Sequence, residues 1–207
     1  MSTRERLLEA AREVVARDGL EGLTLRAIAR HAGLSHGAPL RHFPSLAALL
    51  AAVAAGGFAR LIAMIDEALA AAERASRRQR GRKLTATERI AVAGQAYIDF
   101  ALAEPGVFAV TFRPERVDVT DPDYQTQGLR SFTQLVELVR DAQAEGWHPD
   151  EPAVVLAAVL WSHVHGLAEL RLHGALGGIL DEVSLDDLHL TSATLALGPL
   201  DLPDLGD

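Results

Sequence analysis

The chain of 207 residues contains no cysteine. That excludes disulfides and thiolate metal sites, and it suits a cytoplasmic protein. Aromatic residues make up only 5% of the sequence, while Ala and Leu dominate, a balance that favours helices. No strand-like alternation of apolar and polar residues occurs, and no internal repeat. The apolar run from Ala153 to Trp161 is too short to cross a membrane. The opening MSTRERLLEAAREVV places Arg and Glu among its apolar positions and does not read as a signal peptide. Catalytic signatures are missing too. Without a Gly-x-Ser-x-Gly, a phosphate-binding loop or a dinucleotide fingerprint, neither an enzyme nor a bound cofactor is expected.

What is present is an uneven charge. The whole chain carries −8, yet residues 1–50 hold seven Arg against five acids. The basic excess sits at the N-terminal end and the acidic excess on the rest, as expected when one end alone meets a polyanion.

The basic end contains the most informative stretch, LRAIARHAGLSHGAPLRHF, from Leu25 to Phe43. Thr24 has the chemistry to cap a first helix, Leu25 to His31. Ala32-Gly33-Leu34 reads as a tight turn in which Gly33 permits a positive φ. Ser35 would start a second helix running to about Phe43. Ala29 is small where two helices must cross. Ile28, Leu34 and Phe43 supply an inner side, while Arg26, Arg30, His36, Arg41 and His42 supply an outer one. No acid occurs between Glu21 and Asp66. The pattern fits a helix-turn-helix whose second helix enters the DNA major groove.

The rest of the chain reads as helix after helix. Ser2 to Glu5 has capping-box spacing, and Leu7, Ala11, Val14 and Val15 mark one face of a helix that Gly19 ends. Ser45 can cap a fourth helix running to about Ala75, with a possible bend at Gly56-Gly57. The basic run Arg74 to Lys83 reads as a solvated helix end and linker. Further helices are expected from Thr85 or Thr87 to near Pro105, over Gly106–Phe112, Asp123–Glu145, Glu151–Gly174 and Ser184–Leu197. Between Ala153 and Trp161 the sequence is apolar all round, which predicts burial on more than one side. The tail GPLDLPDLGD is expected to fray.

The stretch from residue 3 to residue 50, above all TLRAIARHAGLSHGAPLRHFPSLAALL, resembles the tetracycline-repressor (TetR) type of transcriptional regulator. Trp161 to Gly166, WSHVHG, resembles the Trp…His-Gly signature of one group of its C-terminal domains. The resemblance implies an all-α fold with a DNA-binding head over residues 1–46. Residues 47–207 would form a helical body for effector binding and dimerisation. It further implies that His36, Ala38 and Arg41 face the bases, that Gly37 lets the helix backbone approach closely, and that Thr24 and His42 hold phosphate. Arg26 and Ser35 complete the expected DNA-facing set. Double-stranded DNA with a palindromic operator, a second copy of the chain and a small-molecule effector are the implied partners. Repression relieved by the effector is the implied activity.

Three residues depart from the family pattern. Leu40 stands where a Tyr is usual, Leu46 where a Lys or Arg is usual, and Pro39 where an aliphatic residue is common. Two absent phosphate contacts keep an alternative open: a helical small-molecule-binding protein with weak or lost operator binding.

In the body, Phe58, Tyr97, Phe100, Phe108, Phe112, Trp161 and His165 are candidates to line an effector pocket. Tyr97, Trp161 and His165 carry the polar tips that orient ligands in apolar sites. His163 and His165 do not suggest a metal. Two positions apart on a helix they point about 200° away from each other.

Overall fold

A computed structural model of the chain describes residues 1–180 and 183–204. Helices and their connections account for the described residues, with no strand among them. In chain order the helices are α1 (Thr3–Asp18), α2 (Leu25–His31), α3 (Leu46–Arg80), α4 (Ala86–Ala103), α5 (Pro105–Thr111), α6 (Pro122–Ala144), α7 (Ala153–Leu172), the single turn α8 (Gly177–Leu180) and α9 (Leu185–Leu197). They gather into two compact units. One holds Met1–Arg60 and Ala103–Arg130, the other Leu61–Leu102 and Ser131–Asp207.

In the first unit α1 opens on a complete capping box. Ser2 Oγ accepts from the Glu5 N–H, and the Glu5 carboxylate accepts from the Ser2 N–H at 2.7 Å. Leu7, Ala11, Val14 and Val15 are buried against Ile28, Phe43, Leu49 and Val53, the expected core of a three-segment head. Val110 and Val117 join that core from much later in the chain. The α5 helix can come close because Gly106 has no side chain. A Cβ there would lie 2.8 Å from the Ala16 backbone nitrogen. Arg116 donates to the Leu20 carbonyl at 2.7 Å and the Asp118 N–H to the Ala47 carbonyl at 3.0 Å, fastening the same region.

In the second unit α4 is buried over most of its length. The basic run is part of α3, which continues to Arg80, beyond the expected end near Ala75. The chain from Asp201 to Asp204 is not frayed. Gln79 and Asp204 exchange two hydrogen bonds, of 2.7 and 3.2 Å, and the Arg80 guanidinium donates to the Leu202 carbonyl. Leu202 packs against Ala72, Leu84 and Val92. Arg82 forks onto the Glu88 carboxylate at 2.7 and 2.8 Å and reaches Asp201 as well. Burial pushes the Glu88 carboxyl up, but Arg82 and the Thr85 N–H outweigh it and hold the carboxyl at about 2. The last residues of the sequence, 205–207, lie outside the described ones.

Within the single chain helix α7 is thinly covered. Apolar all round, it buries only Ala157, Val164 and Ala168 within the chain, leaving Val154, Val155 and Val159 exposed. Its most apolar stretch has a mean hydropathy of 1.5 with 11% of it buried, against 2.0 and 61% for α3. Both helices reach the length and composition of a membrane span. For α3 its own protein provides the apolar surroundings; the α7 surface has none within the described residues.

Candidate nucleic-acid interface and ligand region

The proposed reading head starts as expected. Thr24 Oγ1 caps α2 by accepting from the Ala27 N–H at 3.1 Å. Gly33 turns the chain with φ +65°, a left-handed conformation that costs little only without a Cβ. Arg6 donates to the Ala32 carbonyl at 2.6 Å, and His31 meets Glu13 at 2.5 Å, so α1 grips the end of α2 where the turn begins.

The second element is not the α-helix expected from Ser35 to Phe43. Residues 36–38 form a turn and Pro39–Arg41 a 3₁₀ segment. The cause is Pro39. It has no N–H to give the Ser35 carbonyl, which instead accepts from Ala38 at 3.0 Å. Pro39 and Phe43 are buried, and Arg4 lies over the Phe43 ring at 5.3 Å. His36, Gly37, Arg41 and His42 are exposed, as are Thr24, Arg26 and Ser35, while Ala38 is half-buried. The segment therefore presents its basic side chains to solvent even with fewer helical hydrogen bonds. Leu40 is exposed among them, at 61%. Leu46 is half-buried and packs against the head core, which gives that position a structural use in place of a charge.

The candidate ligand residues divide between the two units. In the first, Phe58 meets Phe112 edge-on with centroids 5.5 Å apart, and Phe108 lies 5.0 Å from Phe112. Tyr124, which sequence reasoning passes over, stands 5.8 Å from Phe58. In the second unit Tyr97, Trp161 and His165 come together. Tyr97 Oη is 2.7 Å from His165 Nδ1 and accepts from Trp161 Nε1–H at 3.2 Å. Phe132 adds a fourth ring 6.1 Å from Trp161. Phe100 is fully buried in this unit.

Burial raises the pKa of the Tyr97 phenol, so it keeps its proton at neutral pH. Burial also lowers His165, with Glu169 opposing, and Glu169 Oε1 lies 3.8 Å from Nε2. The cluster is a small polar centre in apolar surroundings, able to orient a ligand by donating and accepting.

His163 does not join this cluster; its Nε2 meets Ser192 Oγ at 2.7 Å. Among the described residues no group of three or more His, Asp or Glu side chains could hold a metal ion. A further cavity, of about 410 Å³, is lined by Gln95, Asp99, Asp186 and His189 among others. Nothing in the sequence points to it, because α4 and α9 meet only in the folded chain.

A helical protein with an N-terminal helix-turn-helix head and exposed basic side chains on its second element is, by class, a DNA-binding regulator. Comparison with known proteins narrows the class. Residues 7–53 match the model described as bacterial regulatory proteins, tetR family, and residues 90–190 match the tetracyclin repressor-like C-terminal domain. The chain belongs to the TetR family of transcription regulators, whose members bind DNA and act as dimers.

Among solved structures, a protein with unknown function from Rhodococcus sp. RHA1 is 33% identical, with a TM-score of 0.74 over 95% of this chain and 94% of that one. A tetR-family bacterial regulatory protein from Rhodococcus RHA1 is 19% identical, with a TM-score of 0.68 over 97% and 100%. The fatty acid degradation regulator FadR from Bacillus halodurans shares the fold at 14% identity and a TM-score of 0.68 over 98% of each chain. The curated proteins include no match.

Proposed function

We propose that the protein is a cytoplasmic, ligand-responsive repressor that binds a palindromic operator as a homodimer. Residues 1–46 would read DNA and residues 47–207 would bind the effector and the second subunit. The observation that carries the DNA-reading part is the solvent-facing set Arg26, His36, Arg41 and His42, with no acid among its neighbours from residue 22 to 65. Arg41 would donate a bidentate pair to guanine, the Ala38 methyl would touch a thymine methyl, and Thr24 and His42 would meet phosphate.

The dimer reading rests on the bare apolar surface of α7 and on α9, where Leu195 is 83% exposed. Isologous pairing of these helices would cover both and supply the two-fold axis a palindrome matches. The effector reading rests on Tyr97, Trp161 and His165, whose hydrogen-bonding tips stand among aromatic rings. Effector and operator would then be negatively coupled, each weakening the other by the same factor.

Gel-shift titration against the DNA upstream of the protein's own gene tests the first part. Arg41→Ala should weaken the best site by about 1–3 kcal/mol and relax choice at one base position per half-site. Equal weakening on every sequence would reduce Arg41 to a phosphate contact. Absence of any sequence preference in the wild type would favour the reading of a binding protein without an operator.

A further inference from the structure

We propose that Leu40 selects operator sequence by packing against the C5-methyl group of a thymine in the major groove. The assignment rests on the reading of residues 1–46 as the DNA-binding head. Among the described residues from 2 to 60, Leu40 is the one exposed large apolar side chain, at 61%. The other large apolar side chains of the head are covered. Leu7, Ile28 and Leu49 are buried in its core, and Leu8, Leu25, Leu34 and Leu46 pack against that core. Leu40 is held in its exposed place. Pro39 and Phe43 are both buried and pin the segment at its two ends. The Pro39 carbonyl accepts from the His42 and Phe43 N–H groups, at 2.9 and 2.8 Å, and so closes the turn between the pins. Leu40, Arg41 and His42 lie between them, and all three are exposed.

The company Leu40 keeps says what meets this face. Arg41, His42 and His36 are exposed in the same stretch, and no acid occurs from residue 22 to residue 65, so the surface suits a polyanion. A leucine can do nothing for the phosphates of that polyanion, having neither charge nor donor. The apolar group that a duplex presents in its major groove is the thymine methyl. Docking Leu40 there removes apolar surface from water on both sides, which favours binding. A cytosine in the same place presents an N4 amino donor, which an alkyl side chain can only strip of water. Thymine is therefore chosen both by attraction and by the penalty on its competitor. Ala38, the other apolar candidate for base contact, is half-buried and carries a single methyl. Leu40 is a second and longer apolar contact.

Gel-shift titration of the full-length protein tests this, with the duplex upstream of its own gene and copies in which thymines are replaced one position at a time by deoxyuridine. That exchange removes the methyl and keeps the base pair. At one thymine position it should weaken the wild type about fourfold in one half-site, and about tenfold to twentyfold in both. Leu40→Ala should bind the unmodified duplex more weakly by a similar factor and change less than about twofold on the deoxyuridine copy. Its circular dichroism should be unchanged, because the side chain is exposed. Its salt dependence should match that of the wild type, since no phosphate contact is lost. Leu40→Met keeps an apolar reach and should keep the preference for thymine. Sequence-specific binding that no deoxyuridine weakens overturns the role of Leu40 and leaves the regulator reading standing. So does a Leu40→Ala variant that remains as sensitive to deoxyuridine as the wild type. A shallower salt dependence in Leu40→Ala would make the loss one of docking and overturn it as well. If the wild type shows no sequence preference, the regulator reading falls and this assignment falls with it.

Discussion

Tyr97 and His165 lie on different helices and share a hydrogen bond of 2.7 Å, closed by Trp161, whose Nε1–H reaches the same phenol oxygen. The Trp…His pair of the WSHVHG stretch is therefore one half of a cross-helix arrangement, with α4 providing the other half. Tyr97→Phe removes the oxygen both partners use and little else. It should destabilise the protein by about 1–2 kcal/mol in urea unfolding, the usual cost of deleting a well-made hydrogen bond at a buried place. A change near zero would mean that water replaces the phenol.

Acid should weaken the fold through its histidines. Burial lowers the pKa of His163, His165 and His189 from the ordinary value of 6.5. The unfolded chain therefore takes up these protons before the folded one does. Stability should be flat above about pH 6.5 and fall below it, levelling once the folded-state values are passed. Melting temperatures from pH 8 to pH 5 would show this, and His189→Gln should remove part of the slope. A rise in stability on acidification would reverse the sign of the argument.

Gly106→Ala should loosen the packing of α5 on α1. The added methyl would meet the backbone of Val15 and Ala16, which cannot swing aside as a side chain can. A destabilisation of about 1–3 kcal/mol is expected. Proteolysis should then open the N-terminal residues first.

Val159→Asp should give a folded monomer. Val159 is 62% exposed in the single chain, so a carboxylate there stays hydrated unless a second copy covers it. Analytical sedimentation at micromolar concentration should show the wild type as a dimer and the variant at half its mass. A wild-type monomer with intact circular dichroism would remove α7 as the interface.

Much of this fold can be read from local signals. Ser2 and Glu5 announce α1, and Thr24 and Gly33 fix α2 and the turn after it, because caps and positive-φ positions are decided within a few residues. The helices α4 to α7 follow from periodicity to within two residues or so at each end. The differences have physical reasons. Pro39 looks harmless in a first helical turn, but its missing N–H falls where the second turn of helix would begin. Arg74 to Arg80 resembles a linker by charge, yet Arg and Gln are good helix formers and buried Ser76 ties the end of α3 to the Arg82 carbonyl. The tail looks too polar to dock, and its partners, Gln79, Arg80, Arg82 and Glu88, lie more than a hundred residues away. Among the candidate ligand residues, Tyr97, Trp161 and His165 stand out in the sequence by their polar tips, and the fold brings these three together. His189 is invisible there, since a lone histidine on a helix signals nothing until Gly94 is seen to make room for it.

Pro39 also bears on the heat of binding. A ring that fixes φ narrows the conformations open to residues 38–41 before any partner arrives. A reading segment that is already set loses little entropy on docking and buries little new surface by folding. Its association would therefore carry a modest heat-capacity change, near that of two rigid surfaces meeting. The cost is adaptability: a segment with fewer conformations open to it adjusts less readily to a site of slightly different groove width.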